Sequence, residues 1–113
     1  MSFFNELKAV QAARHPDQMA AWGDGRQREI AEILGEVLSR RHGWKSKVFL
    51  PQDSTTVAFH GPRFDFLDEG AVDEVIESIE ATYNVQITKD FWTGKQQSTI
   101  GEVIAAMAKL SEA

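Results

Sequence analysis

Gly70-Ala-Val-Asp-Glu-Val-Ile-Glu-Ser-Ile-Glu-Ala-Thr-Tyr83 is the stretch on which the reading of this chain turns. Val72, Val75, Ile76, Ile79 and Tyr83 return at intervals of three and four residues, which lines them along one face of a 3.6-residue helix. Asp73, Glu74, Glu77 and Glu80 fall on the other face. Asn84 follows, and asparagine tolerates the left-handed backbone that ends many helices. Val85 and Ile87 then point back toward a core. The pattern predicts an acidic amphipathic helix over 70–83.

The same logic extends in both directions. Downstream, Thr99 and Glu102 have the spacing of a capping box. Ile100, Val103, Ile104, Met107 and Leu110 form the stripe of a helix over 99–110, and Thr88 to Trp92 suggests one helical turn before it. Upstream, Ile30, Ile33, Leu34, Val37 and Leu38 predict a helix over 28–41. Arg40, Arg41 and His42 sit in its last turn, where cations complement the carbonyl end, and Gly43 suits a left-handed stop. Ser2 to Arg14 reads as a helix capped by Ser2, with Phe3, Leu7 and Val10 inward. His15-Pro16 interrupts it, because a residue before proline avoids the helical region. Pro16 opens a second short helix carrying Met19 and Trp22, and Gly23-Asp24-Gly25 ends that one.

Trp44 to Asp65 supports two readings. Lys47-Val-Phe-Leu50 and Thr55-Thr-Val-Ala-Phe59 can pair as a small hairpin turned at Pro51 to Ser54. They can equally form an ordered loop packed by Phe49, Val57 and Phe59. No helix is expected after Ser54. The fold class expected is mainly all-α: a single domain over 1–113, built as a small helical bundle. It has a helical extension at 1–25 and a long loop or small hairpin at about 45–65.

With 113 residues the chain is long enough for one core. It has no cysteine, which removes thiol nucleophiles, thiolate metal sites and disulfides together. No window has the apolar length of a membrane span, and the N-terminus lacks the basic region of a signal peptide. These features suit a cytoplasmic protein. The net charge of −5 disfavours nucleic acid and anionic membranes as partners and favours a protein with a basic surface.

Asp65, Asp68, Glu69, Asp73, Glu74, Glu77 and Glu80 form the most prominent charged cluster. Carboxylates at i,i+4, such as Asp73 and Glu77, repel one another on a helix. Either the face is simply solvated, or it docks onto cations of another protein. The docking reading assigns partner contact to Asp68, Glu69, Asp73, Glu74, Glu77 and Glu80. Asp65-x-x-Asp68-Glu69 lacks the alternating ligands of a calcium loop. His15, His42 and His60 have no mutual metal-ligand spacing. Ser54 in Asp53-Ser54-Thr55 belongs to no Gly-x-Ser-x-Gly elbow, and there is no P-loop. Trp22, Trp44 and Trp92 read as seals of the core rather than ligand platforms. Arg63 is either a partner contact or a surface pair for Asp65 or Asp68. No catalytic residue, cofactor or metal is expected, and the chain is not expected to be an enzyme.

Three segments resemble parts of acyl carrier proteins. Ile33-Leu-Gly-Glu-Val-Leu38 looks like the first helix of that family, and Ile79-Glu-Ala-Thr-Tyr-Asn-Val-Gln-Ile87 looks like the end of its acidic helix. Thr99-Ile-Gly-Glu-Val103 looks like the start of its last helix. The resemblance spans about Arg26 to Leu110 and implies a bundle that meets partner proteins through its acidic helix. The family carries its phosphopantetheine on a serine in an Asp-Ser-Leu signature at the start of that helix. The corresponding place here reads Gly70-Ala71-Val72, so the resemblance implies the shape without the arm. The long aromatic loop and residues 1–25 are further departures. The expected function is therefore a non-catalytic, acyl-carrier-like interaction module. A small acidic inhibitor or immunity-type protein that covers a basic enzyme surface is the alternative. A divergent functional carrier is the third.

Overall fold

The computed structural model describes residues 3–60, 69–88 and 98–112. The chain runs through α1 (Phe3–Ala12), a 3-10 helix (Pro16–Trp22), α2 (Arg26–His42), α3 (Thr55–His60), α4 (Glu69–Tyr83) and α5 (Ile100–Ser111). There is no β-strand among the described residues, and the protein is all-α. The centre is a three-helix arrangement in which α2, α4 and α5 all touch one another. The 3-10 helix lies on α2, while α3 bridges α1 and α4.

The central helices form where their apolar periods predicted. Ile30, Leu34 and Leu38 from α2 are buried with Val72, Val75 and Ile79 from α4 and Ile100, Ile104 and Met107 from α5. Gly43 closes α2 at φ 73° and donates its N–H to the Ser39 carbonyl. Asn84 takes φ 55° after α4. The Thr99 hydroxyl accepts from the Glu102 N–H at 3.2 Å and caps α5. Leu110 departs from its predicted stripe. It is 40% exposed, because the inward row of α5 continues through Met107, Ala108 and Ser111 and leaves Leu110 to one side.

The N-terminal segment also departs from its predicted stripe. Val10 is 57% exposed, whereas Gln11 is fully buried. The inward row is Leu7, Gln11 and Arg14, which keeps helical spacing but substitutes polar groups for the expected apolar ones. Gln11 uses both ends of its amide on one backbone residue. Its Oε1 accepts from the Ser46 N–H at 3.2 Å, and its Nε2 donates to the Ser46 carbonyl. Trp22 donates from its indole N–H to the Phe49 carbonyl at 2.7 Å. Ser2 lies outside the described residues.

Residues 44–54 form neither strand nor helix, and this segment knits the fold together. Trp44, Val48, Phe49 and Leu50 are buried, and Trp44 meets Phe49 edge to face with centroids 5.4 Å apart. Backbone groups buried without a ladder need other partners. The N-terminal segment supplies them through Gln11, Arg14 and Trp22. In return the segment satisfies the open N-terminus of α5. The Ile100 N–H donates to the Asp53 carbonyl at 2.8 Å, and the Gly101 N–H to the Pro51 carbonyl at 2.9 Å. Two glycines let it lie against the helices. A methyl group on Gly35 would sit 1.9 Å from the Lys47 carbonyl oxygen, and one on Gly101 would sit 2.9 Å from that of Pro51.

The hairpin reading is therefore wrong over the described part of 45–65, and so is the expectation that no helix follows Ser54. Thr55–His60 is α3. Ser54 caps it, accepting from Val57 N–H on its hydroxyl at 3.3 Å and from Ala58 N–H on its carbonyl at 3.0 Å. The β-branched run at 55–57 suggested a strand, but consecutive burial of Val57, Ala58 and Phe59 between α1 and α4 overrides that local preference. The ordered-loop reading holds for 44–54, with Phe49 buried as expected. The turn expected from Thr88 to Trp92 falls mainly outside the described residues.

Candidate functional site

The acidic face of α4 separates into distinct roles once its neighbours are placed. Within its fifteen residues α4 contains Glu69, Asp73, Glu74, Glu77 and Glu80 and no lysine or arginine. Glu74 is only half exposed and meets the end of α2. Arg40 pairs with its Oε2, and Arg41 lies 3.2 Å from its Oε1. The basic last turn of α2 thus serves the dipole of its own helix and also ties α2 to α4. Glu80 folds back over the stop, accepting the Ile87 N–H at 2.9 Å. That bond fixes the chain reversal that returns Ile87 to the core.

Asp73 and Glu77 stand exposed one turn apart. Glu69 opens α4, and Asp68 lies outside the described residues, as do Asp65, Arg63 and Trp92. The four carboxylates of α4 whose side chains are described therefore divide between two settings. Glu74 and Glu80 brace the bundle, whereas Asp73 and Glu77 face outward. Pairing of Arg40 and Arg41 with Glu74 joins residues more than thirty positions apart, and no local pattern signals it.

The other end of α4 carries a second polar junction. The Tyr83 hydroxyl donates to Glu29 at 2.6 Å, and the Arg26 guanidinium stacks over the Tyr83 ring at 3.9 Å. Arg26 also donates to the Ser111 hydroxyl at 2.7 Å, which joins the ends of α2, α4 and α5. Burial, reinforced by Glu29, pushes the Tyr83 phenol up to about 12. The folded state therefore keeps a proton that the unfolded state releases near 10, so stability falls as pH rises from 10 toward 12. Tyr83→Phe removes this contribution. Chemical denaturation of both forms between those two pH values should show the wild type losing its advantage over the variant.

No three His, Cys, Asp or Glu side chains converge on a metal position among the described residues. His15 serves as a cap, its Nδ1 accepting the Asp17 N–H at 3.2 Å, and Trp22 and Trp44 are buried core residues. The Ser54 hydroxyl is engaged at the start of α3. Ala71, at the place the carrier resemblance gives to serine, is fully buried. No helix among the described residues is long and apolar enough to cross a membrane. Comparison with family models, curated proteins and solved structures gives no match.

Proposed function

We propose that this chain is a non-catalytic, acyl-carrier-like interaction module that docks a basic protein partner through the outer face of α4 and has no phosphopantetheine arm. The observation that carries this reading is the exposed pair Asp73 and Glu77 on a helix without a single cation. Like charges one turn apart disfavour the isolated helix by about 0.2–0.5 kcal/mol. Glu74 and Glu80 hold other parts of the fold, whereas Asp73 and Glu77 lie exposed on the outer face of the helix. A cation-rich partner surface would be attracted to it and oriented by it.

The test is affinity capture from the host with wild type and with Asp73→Lys/Glu77→Lys, after circular dichroism has shown equal helicity. A basic protein retained by the wild type and lost by the variant supports the reading. Equal retention removes it. If the captured protein is an enzyme that loses activity when bound, the inhibitor reading replaces the carrier-like one. A second reading, a divergent carrier, has one observation in its favour: Asp53-Ser54 stands at the start of a helix with Ser54 exposed. Incubation with a phosphopantetheinyl transferase and coenzyme A should leave the mass unchanged, and a gain mapped to Ser54 would favour the carrier.

A further inference from the structure

A cleft of about 500 Å³ opens between the end of α1, the flank of α2 and residues 45–48. That volume lies in the range of small-ligand sites. Buried Met19 and Val48 contribute an apolar lining, and the Arg14 side chain, 6% exposed, forms part of the wall. The Arg14 guanidinium is incompletely satisfied. Asp53 accepts from Nη1 at 2.6 Å and from Nη2 at 2.8 Å, and the Val48 carbonyl accepts from Nη1 at 3.3 Å. Its Nε–H is buried with no hydrogen-bond partner among the described residues. Native interiors rarely leave a charged donor in that condition, because its lost hydration goes uncompensated. At the rim, exposed Lys45 has no hydrogen bond or ion pair among the described residues. The other rim lysine, Lys47, is taken by Glu36 at 2.5 Å.

We infer that this cleft binds a small monocarboxylic acid with a compact aliphatic body. The carboxylate takes the Arg14 Nε–H and is attracted by Lys45, while the aliphatic part lies on Met19 and Val48. Arg14 lines the cleft while its Nε is closed off from water, so the contact requires the side chain to move toward the acid. A single charge suits the site. Arg14 keeps Asp53 as its partner, and Glu32 and Glu36 on the α2 wall repel a dianion. A neutral ligand of the same shape fills the apolar part but leaves Nε unpaired. This site is separate from the outer face of α4, and the inference stands or falls independently of docking there.

The experiment is a nitrogen–proton correlation titration of the full chain with 3-methylbutanoate, 3-methylbutan-1-ol and inorganic phosphate. The acid should give saturable shifts at the Arg14, Ser46 and Val48 amides and at the Arg14 Nε–H. The alcohol and phosphate should bind about tenfold more weakly or worse, the loss expected for one charge-assisted hydrogen bond. Ala12→Trp places bulk at the exposed rim without touching the Arg14–Asp53 pair, and should abolish binding while the remaining spectrum is preserved. Lys45→Ala should weaken the acid and leave the alcohol unchanged. Absence of saturable shifts, equal affinity for acid and alcohol, or wild-type binding by Ala12→Trp would overturn the inference.

Discussion

Gly35→Ala should destabilise the protein by about 3 kcal/mol, the upper part of the range for forcing extra volume into a packed interior. The sign is opposite to that expected from helix propensity, since alanine is favoured over glycine in a helix interior by about 1 kcal/mol. Gly35 sits in the middle of α2, and its added methyl would lie 1.9 Å from the Lys47 carbonyl oxygen. A backbone oxygen has no rotamer by which to escape. The crossing segment must lift, which disturbs Val48 and Phe49 beneath it. Gly101→Ala should follow the same direction with a smaller loss, because the contact with the Pro51 carbonyl oxygen there is 2.9 Å. Urea denaturation of both variants checks the order. A stabilised Gly35→Ala protein would show that residues 44–50 do not rest on α2 as described.

Asp53→Ala should cost about 3–5 kcal/mol, the range for removing one partner of a buried ion pair. Asp53 accepts both terminal amines of Arg14 and also the Leu50 N–H at 2.8 Å. Both side chains of the pair are nearly excluded from water, at 6% and 3% exposure. The alanine variant strands a guanidinium and a backbone donor together. Adding Arg14→Met removes the stranded charge, so the double variant should be more stable than Asp53→Ala alone. A double-mutant cycle by chemical denaturation measures this coupling. A loss below about 1 kcal/mol for Asp53→Ala would match an exposed surface pair instead.

The two predictions concern the part of the fold that was hardest to read. Helices α2, α4 and α5 were legible because each repeats an apolar stripe and ends in a residue suited to its stop, Gly43 and Asn84 among them. Residues 44–60 were not legible for a physical reason. Their order comes from residues elsewhere in the sequence: the side chains of Gln11 on Ser46, Arg14 on Asp53 and Trp22 on Phe49, and the bare backbone of Gly35 against Lys47. No local period encodes such contacts. The inward face of α1 was misassigned for a related reason, since Gln11 and Arg14 look like surface residues until their buried partners are known. The spacing of Leu7, Gln11 and Arg14 was the available signal. On α4 the acidic pattern was plain, but its division into bracing and outward carboxylates depended on Arg40, Arg41 and the Ile87 N–H.

Docking through α4 is tested most directly by the association rate with the captured partner across ionic strength. The Debye length shrinks from about 10 Å at 0.1 M salt to about 3 Å at 1 M, so electrostatic steering fades over that range. Wild type should associate fast at low salt and slow steeply as salt rises. Asp73→Lys/Glu77→Lys should start slower and show a flatter slope, because exposed charges act mainly on encounter. Both substitutions leave the pairing of Glu74 with Arg40 and Arg41 in place, so the bundle itself should be retained. Equal rates and equal salt slopes for the two proteins would contradict the account and leave the outer face of α4 as a solvated surface.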